Sequence, residues 1–310
     1  MKTISVIVPC FNEEAVLNIF YQELIKHLKL LNQYRYEVIF INDGSQDNTQ
    51  NIINLLCHND NHCFYYQLSR NFGKEAAIYL GLQKSSGDYV VIMDADLQDP
   101  PSLLKTMVHY LENGYDSVAS RRVSRYGEPP IRSLCARLFY RLMNCISDTE
   151  IKDGARDYRM MNRQFVNSLL ELKEYNRFSK GLFGWVGYST KWLEFENVER
   201  VAGETKWSFL KLLIYSIQGI VAFSTMPLVI STIMGIIFCL LAFIFVILII
   251  IRTLIFGDPV TGWPSLVCII LFVGGIQLFC IGVLGQYLAK TYLEVKKRPL
   301  YIVSKTNKED

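Results

Sequence analysis

The sequence predicts an α/β domain with a mostly parallel sheet, followed by two transmembrane helices. Short β-rich runs alternate with helical patterns up to about residue 120, and three of these runs end in the polar segments PCFNEE, INDGS and MDADLQD. Two apolar stretches of 23 residues each follow after residue 228. Near-continuous apolar strands separated by helices are typical of a parallel sheet covered on both faces. Ligands bind such sheets at the carboxyl ends of the strands, so we expect the site there.

Four strand and helix units account for the alternation. TISVIVPCF is the first strand, and a helix is predicted from Glu13 to Leu31 with Asn12 as its cap. YEVIFIND is the second strand, and its turn leads into a helix over 48–57. CFYYQLS is the third strand and precedes the loop and helix NFGKEAAIYLGLQKS. DYVVIMDAD is the fourth strand.

Residues 229–251 and 265–287 are the two predicted membrane spans. Each is long enough to cross a hydrocarbon core of about 30 Å as a helix. Neither has the polar face of a helix that packs on a soluble core. The chain is therefore divided into a globular domain over 1–207, an amphipathic juxtamembrane helix over 208–227, the two spans within 228–289, and a basic tail over 290–310 with a mobile end, KTNKED. A soluble helix packed on the globular domain is an alternative for 208–227.

The basic residues predict which side of the membrane the chain occupies. Five of them lie close to the second span, within KTYLEVKKRPLYIVSK: Lys290, Lys296, Lys297, Arg298 and Lys305. The N-terminal run MKTISVIVPCF is too short for a signal peptide and has no small-residue cleavage site. The positive-inside rule therefore places the globular domain and both termini in the cytoplasm. The net charge of +3 carries little information by itself, and no nucleic-acid partner is expected.

The cysteines are interpreted for a reducing cytoplasm. The eight cysteines form no CxxC pair, and we expect them to act as small buried hydrophobic residues. The cluster CHNDNHC contains ligand-like residues, but its spacing fits no usual zinc pattern. We interpret it as a helix end and loop.

Acidic residues follow the fourth strand. Asp94 and Asp96 are separated only by Ala95, and both would point to the same side if the strand geometry continued. With the amide oxygen of Gln98 they suit a hard divalent cation, Mg²⁺ or Mn²⁺. A solvated acidic turn is the alternative, and the D-x-D pattern alone does not decide between them. Asp99 is predicted to shape the turn and to cap the next segment.

Polar groups at the ends of the first two strands suit a nucleoside. Asp43 can accept hydrogen bonds from a nucleobase N–H or from ribose hydroxyls, and Phe11 offers an aromatic face beside Pro9 and Glu13. The pair Gly73-Lys74 suits a phosphate, although a lysine at a helix start explains it equally well.

Four motifs carry a family resemblance: SVIVPCFNEE, VIFINDGSQDNT, SRNFGKEAAIYLGL and MDADLQDPP. In this order and spacing they resemble the inverting glycosyltransferases with the GT-A (Rossmann-like) fold. The two spans make the chain similar to the polyprenyl-phosphate glycosyltransferases, including the bactoprenol glucosyltransferases and the dolichyl-phosphate mannose synthases. The resemblance covers nearly the whole chain.

The resemblance implies roles for individual residues. The nucleotide sugar would contact Pro9, Phe11, Glu13, Asp43, Asp94, Ala95, Asp96 and Arg121. The metal ion, Mg²⁺ or Mn²⁺, would be held by Asp94, Asp96 and Gln98. The phosphates and the acceptor would contact Arg132, Arg200 and Lys206. The last two lie in RVAGETKW, which resembles an R-x-x-G-x-S-K segment with Thr205 in place of Ser.

The resemblance also implies a catalytic acid in DGARDYRMMNR. The acid proposed as the base in bactoprenol-type enzymes maps onto Asp157, with Asp153 as the neighbouring alternative, and Asp94 and Asp96 complete the catalytic set. An acceptor phosphate is already anionic near pH 7, since its second pKa is about 6. We therefore expect Asp157 to position hydroxyl groups at least as much as to accept a proton.

The expected activity is transfer of a sugar, with glucose as the first choice, from a UDP-sugar to undecaprenyl phosphate with inversion. The product would be a lipid-linked monosaccharide for modification of cell-envelope glycans. Alternative donors are UDP-N-acetylglucosamine, GDP-mannose and a UDP-aminoarabinose derivative. A processive polysaccharide synthase is disfavoured because the chain has no Q-x-x-R-W segment and too few spans. The intact acids Asp43, Asp94 and Asp96 argue against a non-catalytic scaffold or flippase partner.

The expected location is the bacterial cytoplasmic (inner) membrane, as a multi-pass protein with a lipid bilayer around its spans. Four glycines in the second span would permit close helix packing within one chain or in a homo-oligomer: Gly274, Gly275, Gly282 and Gly285.

Overall fold

A sheet of eight strands forms the centre of the described chain. The computed structural model describes residues 1–122, 152, 154–195, 220–221, 224–256 and 262–308. The strands are β1 Thr3–Cys10, β2 Arg35–Asn42, β3 Cys63–Leu68, β4 Tyr89–Ile92, β5 Ser117–Arg122, β6 Ala155–Asn162, β7 Thr190–Phe195 and β8 Val303–Thr306. Their order across the sheet is β7-β5-β6-β4-β1-β2-β3-β8.

The sheet is mostly parallel, as predicted. β1 lies between β2 and β4, and β3 follows β2, all in parallel register. β5 and β7 are parallel as well. β6 runs antiparallel between β4 and β5, and β8 runs antiparallel along β3. The buried apolar strands β1, β2 and β4 explain why the pattern could be recognised in the sequence.

Helices cover both faces of the sheet. They are α1 Leu17–Lys29, α2 Thr49–Asn59, α3 Lys74–Lys84, α4 Leu104–Glu112, α5 Arg163–Glu171, α6 Ser179–Trp185, α7 Met226–Phe256 and α8 Trp263–Lys296. Leu17, Ile53 and Leu104 place α1, α2 and α4 in the core on one face. Ala77, Phe165 and Leu182 place α3, α5 and α6 in the core on the other face.

The predicted start of the first helix is wrong. The helix begins at Leu17 rather than at Glu13, and Val16 precedes it without a side-chain cap. Asn12 has a left-handed backbone (φ 54°), and its side chain accepts a hydrogen bond from the backbone of Gln46 at 2.8 Å. The polar residues that resemble a cap in sequence therefore serve a contact between two loops.

Two long apolar helices follow the globular part. Met226–Arg252 within α7 has a mean hydropathy of 3.4, and Phe272–Lys296 within α8 has 1.6. Each helix is long and apolar enough to span a membrane, and their side chains stay exposed. An apolar surface of this extent is not stable in water, so both helices indicate membrane association. Of the predicted juxtamembrane helix, residues 208–219 and 222–223 lie outside the described residues.

Side chains of α8 contact α7 and the residues just before it. The Tyr287 hydroxyl donates to the carbonyl of Ser224 at 2.6 Å, and the rings of Phe238 and Phe272 meet edge-on at 5.7 Å. The four glycines of α8 take no part in close packing within the described chain, because a methyl group on any of them would meet no atom within 4 Å. An interface between chains at these glycines stays a prediction.

The end of the chain is ordered, and the predicted mobile end is wrong up to Lys308. β8 pairs with the edge strand β3, with Lys305 opposite Gln67. Asn307 then accepts a hydrogen bond from the backbone N–H of Tyr65 at 2.7 Å. Lys308 donates to the buried carboxylate of Glu37 at 2.8 Å. Residues 303–308 therefore complete the globular domain rather than form a separate tail.

Candidate active site

The loops that follow β1 and β2 are joined by hydrogen bonds at one edge of the sheet. The backbone N–H of Glu13 donates to Oγ1 of Thr49 at 2.8 Å. The backbone N–H of Asn48 donates to Oε2 of Glu14 at 2.8 Å. Together with the contact from Gln46 to Asn12 described above, these bonds hold the two loops as one rim.

Two residues of the predicted nucleoside site, Phe11 and Glu13, lie on this rim, and a third, Pro9, lies next to it in β1. Pro9 is the register partner of Ile41 in the β1–β2 ladder, and Phe11 and Glu13 follow in the loop. All three of the predicted residues are partly buried, so their outer surface can meet a ligand. Their nucleoside contacts stay a prediction.

Asp43 holds the loop in front of α3. Its side chain is buried, and its two carboxylate oxygens accept hydrogen bonds from the backbone N–H groups of Phe72 at 2.7 Å and Gly73 at 2.9 Å. Burial raises the pKa of Asp43, and the two N–H donors oppose this shift. The structure thus gives Asp43 a positioning role at the start of α3. The predicted contact to a nucleoside would use its remaining lone pairs.

Lys74 lies between two carboxylates from separate parts of the chain. Its ammonium contacts Oδ2 of Asp94 at 2.7 Å and Oδ2 of Asp157 at 2.6 Å. Loss of water would lower the pKa of Lys74, but the two carboxylates outweigh it and raise the pKa well above its usual value. Loss of water would likewise raise the pKa of Asp157. The cations of Lys74 and Lys180 reverse this and hold that pKa well below its usual range.

The sheet register explains how the two acids meet. Ile92 of β4 pairs with Arg159 of β6 in antiparallel register. Asp94 lies two residues after Ile92, and Asp157 lies two residues before Arg159. The structure therefore brings together Asp94 and Asp157, which the sequence predicts as members of one catalytic set.

The strand does not continue through the D-x-D segment. β4 ends at Ile92, a turn begins at Ala95, and Leu97 has a left-handed backbone (φ 57°). The backbone N–H of Gln98 donates to Oδ1 of Asp96 at 3.1 Å inside this turn. The prediction that strand geometry aligns Asp94 and Asp96 is therefore wrong, because the turn sets their directions.

Gln98 and Asp99 share one partner, Arg156. Nη2 of Arg156 donates to Oε1 of Gln98 at 3.0 Å, and its Nε lies 3.4 Å from Oδ1 of Asp99. Asp99 is 1% exposed, and burial raises its pKa to about 7 against the attraction of Arg156. The 3₁₀ turn Pro101–Leu103 has Pro100 as its cap residue and no side-chain cap, so the prediction that Asp99 caps the next segment is wrong.

The donor set fits a divalent metal in part. Among the described residues, no group of three or more His, Cys, Asp and Glu is arranged to hold a metal ion. Mg²⁺ needs only one or two carboxylates when substrate phosphates complete its shell, so Asp94 and Asp96 fit a metal bound together with a diphosphate. The guanidinium on the oxygen of Gln98 argues against Gln98 as a third ligand.

Arg121, which was predicted to contact the nucleotide sugar, already has a partner in the structure. Arg121 on β5 is paired with Glu194 on β7, its Nε lying 3.1 Å from the carboxylate oxygen. This ion pair occupies the guanidinium that was predicted to contact the nucleotide sugar. Four predicted residues lie outside the described residues: Arg132, Asp153, Arg200 and Lys206.

Sequence reasoning missed the central position of Lys74 and the pairing of Arg156. A lysine at a helix start gives no signal that two acids, 20 and 83 residues away in the chain, will face it. The signal for Arg156 was weak as well, since DGARDYRMMNR contains three arginines and their directions depend on the register of β6.

The fold and the site define a class of protein. A mostly parallel sheet carries a carboxylate pair and a lysine at the edge where β4 ends and β6 begins, and this sheet is the fold that the GT-A resemblance implied. The sequence model of Glycosyl transferase family 2 matches residues 5–170, more than half of the chain. The chain therefore belongs to this family and is a glycosyltransferase with the GT-A fold. The resemblance stated from the four motifs is confirmed.

Curated relatives match almost the whole chain. A putative glycosyltransferase of Bacillus subtilis (CsbB) is 41% identical over 304 residues, which are 98% of this chain and 92% of the relative. The bactoprenol glucosyl transferase of Shigella phage SfII is 41% identical over 305 residues, 98% of each chain. Both matches extend through the two apolar helices.

A solved structure is similar at lower identity. The glucosyl-3-phosphoglycerate synthase of Mycobacterium tuberculosis, crystallised with Mn²⁺, UDP-glucose and phosphoglyceric acid, is 20% identical. It covers 71% of this chain and 78% of its own, with a TM-score of 0.47.

Proposed function

We propose that the protein transfers glucose from UDP-glucose to undecaprenyl phosphate, with inversion at the anomeric carbon. The observation that carries the proposal is the 41% identity over 98% of both chains to a protein named bactoprenol glucosyl transferase. The match includes the apolar helices, which would hold the enzyme at the membrane where a lipid acceptor lies.

The reaction is a single displacement. A phosphate oxygen of the lipid attacks the anomeric carbon, the bond from that carbon to the UDP oxygen breaks, and UDP leaves with the bonding electrons. The acceptor phosphate is anionic before it binds, because its second pKa is about 6. Asp157 then has little need to accept a proton, and its ion pair with Lys74 suits a group that orients sugar hydroxyls.

Asp94 and Asp96 are the residues proposed to hold Mg²⁺ or Mn²⁺. A divalent ion at this position would neutralise the charge that develops on the departing diphosphate. Lys74 contributes a fixed positive charge at the same place. Pro9, Phe11, Glu13 and Asp43 remain the proposed nucleoside contacts, because they lie on the neighbouring rim or, for Pro9, next to it in β1.

We propose a multi-pass location in the bacterial cytoplasmic membrane with the catalytic domain and both termini in the cytoplasm. The pairing of β8 with β3 supports this topology. A chain that leaves a domain, crosses a membrane and returns to the same sheet has to cross an even number of times. Two apolar helices meet this condition, and the basic residues around α8 agree with the positive-inside rule.

One assay tests the proposed activity. Membranes that contain the full chain are supplied with undecaprenyl phosphate, Mg²⁺ and a panel of radiolabelled donors: UDP-glucose, UDP-N-acetylglucosamine, GDP-mannose and a UDP-aminoarabinose derivative. We expect label in the lipid fraction with UDP-glucose. Label from another donor instead would correct the sugar, and no label from any donor with folded protein would refute the activity.

The metal proposal has its own test. Asp96→Asn keeps the size of the side chain but removes its charge, so we expect transfer to fall at least about 100-fold. Glu171→Gln, at the exposed end of α5, is the matched control and should retain activity. If Asp96→Asn transfers sugar at the full rate, the metal role of this carboxylate is wrong.

A further inference from the structure

A cavity of about 220 Å³ lies beside the carboxylate site, and its lining is basic and aromatic. The cavity is much larger than the 10–15 Å³ or so that one water needs. Its lining consists of Lys152, Ala155, Arg156, Arg159, Lys180, Phe183, Gly184, Tyr188, Thr190 and Trp192. We call this cavity the basic pocket. Four of its lining residues are cations, and none of the described lining residues is an acid.

Arg159 is the most deeply buried cation of the basic pocket. Its residue is 4% exposed, and its guanidinium lies 4.3 Å from the ring centre of Phe183 and 5.5 Å from that of Trp192. One nitrogen donates to the Ser117 hydroxyl at 3.2 Å, whereas Nε is buried without a hydrogen-bond partner. Within the described ranges, no carboxylate lies within 4 Å of this guanidinium.

Such a cation requires compensation. A buried polar group without a partner costs about 1–3 kcal/mol, and more when the group is charged. The aromatic rings supply part of the compensation, but they leave Nε unsatisfied. Burial lowers the pKa of Arg159 to about 9, which still leaves it charged at neutral pH.

The other cations of the pocket differ in their partners. Arg156 faces two side chains outside the pocket lining: its Nη2 donates to Gln98, and its Nε lies 3.4 Å from Asp99 without a hydrogen bond. Lys180, at the start of α6, is partly exposed, and its charge lowers the pKa of Asp157 from a distance. The pocket thus combines the buried Arg159 guanidinium, which has no carboxylate within 4 Å among the described residues, with a lysine at its rim, and an anion that enters meets both.

The position of the pocket identifies which anion is brought there. Ala155 and Arg156 in its lining precede Asp157 on β6, so the pocket begins where the carboxylate site ends. A guanidinium and an ammonium together suit a phosphate, and the aromatic rings suit the apolar carbons attached to it.

We propose that the basic pocket binds the phosphate group of the acceptor lipid, with Arg159 and Lys180 as its principal contacts. This inference rests on the proposed function, because it takes a polyprenyl phosphate as the acceptor. It assigns the phosphate to β6 and α6, which none of the predicted acceptor residues occupies.

Binding titrations test the proposal without sugar transfer. The full chain in detergent is titrated calorimetrically with inorganic phosphate and with farnesyl phosphate, a soluble polyprenyl monophosphate, against chloride at equal ionic strength. We expect both to bind and farnesyl phosphate to displace inorganic phosphate. Lys180→Gln and Arg159→Lys should each weaken both ligands at least about tenfold. The control Lys173→Gln, at an exposed position after α5 and outside the pocket lining, should change neither affinity.

A parallel titration with UDP reports whether each variant is folded at the donor site. If Arg159→Lys loses UDP binding, Lys180→Gln decides alone. Three results would overturn the proposal: neither phosphate binds to protein that binds UDP, the two phosphates bind without competition, or Lys180→Gln binds both as tightly as the unsubstituted chain. Transfer assays test the proposed function separately from the basic pocket. If farnesyl phosphate binds in a way that depends on Lys180 but no donor sugar is transferred, the pocket proposal holds and the proposed function fails.

Discussion

Lys74 places one ammonium between Asp94 and Asp157, at the position where a metal ion and a diphosphate are proposed to bind. Both contacts are shorter than 3 Å, so the lysine and a metal compete for the same oxygen of Asp94. Arrival of the diphosphate would give the ammonium another anion to pair with. Metal and nucleotide should therefore bind more tightly together than separately.

Lys74→Met tests this competition. Removal of the ammonium leaves Asp94 available, so we expect the affinity for Mn²⁺ in the absence of nucleotide to rise about tenfold, measured by electron paramagnetic resonance of free Mn²⁺. Lys29→Met, at the exposed end of α1, is the control and should bind Mn²⁺ like the unsubstituted chain. An unchanged affinity in Lys74→Met would show that the lysine does not occupy the metal position.

Gly44 is required by the loop after β2 for two reasons. Its backbone is left-handed (φ +68°), and a Cβ there would lie 2.5 Å from the carbonyl carbon of Arg70. Gly114 has a similar φ of +92° but no atom within 4 Å of a built Cβ. Alanine substitutions at Gly44 and Gly114 therefore distinguish the cost of backbone strain, which both have, from the cost of steric overlap, which only Gly44 has.

We expect Gly44→Ala to destabilise the chain by about 2–5 kcal/mol and Gly114→Ala by about 1–2 kcal/mol. The thermal unfolding midpoints of the two variants check the difference. Equal midpoints would mean that the backbone of Arg70 moves aside without cost.

At the scale of elements, the central strands could be predicted and their loops could not. β1, β2 and β4 are buried on both faces, so their residues are apolar and mark the strands in sequence. Asn12 has the composition of a helix cap, but its partner is Gln46 in another loop, and local patterns do not contain that contact. The carboxylates directly follow apolar strands in the sequence, so their place at the edge of the sheet could be predicted. The ion pairs of Lys74 could not, because they depend on the register of β6.

β8 was missed because an exposed edge strand carries no apolar pattern. Its four residues are VSKT, and three of them are exposed. Its stability comes from the β3 ladder and from the contact of Lys308 with Glu37. Burial would raise the pKa of Glu37, but Lys308 and the Ser5 hydroxyl outweigh it and lower the pKa. This group therefore adds stability above its ordinary pKa, and the gain is lost as the pH falls through the lower folded value.

Lys308→Met should lower the thermal unfolding midpoint at pH 7 by about 3–10 °C, because Glu37 stays buried without its cation. The difference from the unsubstituted chain should shrink as the pH falls through the lowered pKa of Glu37, because the protonated carboxyl group no longer needs a cation. Lys305→Met, on the preceding strand β8, is the control, since Lys305 is exposed. A pH-independent difference would assign the effect to packing of the lysine stem.

At the scale of the whole molecule, the C-terminal end of α8 is attached to the catalytic domain. Oε1 of Glu294 accepts a hydrogen bond from the backbone N–H of Tyr175 at 2.8 Å. Nζ of Lys290 donates to Oδ1 of Asn176 at 3.0 Å. With β8, these contacts fix the end of α8 against the globular part, on the side of the helices where the basic residues lie.

The topology is testable by cysteine labelling. Lys105→Cys on α4 and Lys305→Cys on β8 are both at exposed positions. In sealed vesicles of one orientation, we expect a membrane-impermeant maleimide to label both or neither, above the background of the unsubstituted chain. Labelling of one position alone would place the two on opposite sides and refute an even number of crossings.

The pairing of β8 with β3 also sets the order in which the molecule can be assembled. β3 ends at Leu68, and its partner begins at Val303, so the edge of β3 stays open while all the residues between them are synthesised. An open strand edge is a site for pairing with other chains. The nascent domain can close that edge only after both apolar helices have been synthesised. The sheet is therefore completed last, and the chain carries an exposed strand edge through most of its synthesis.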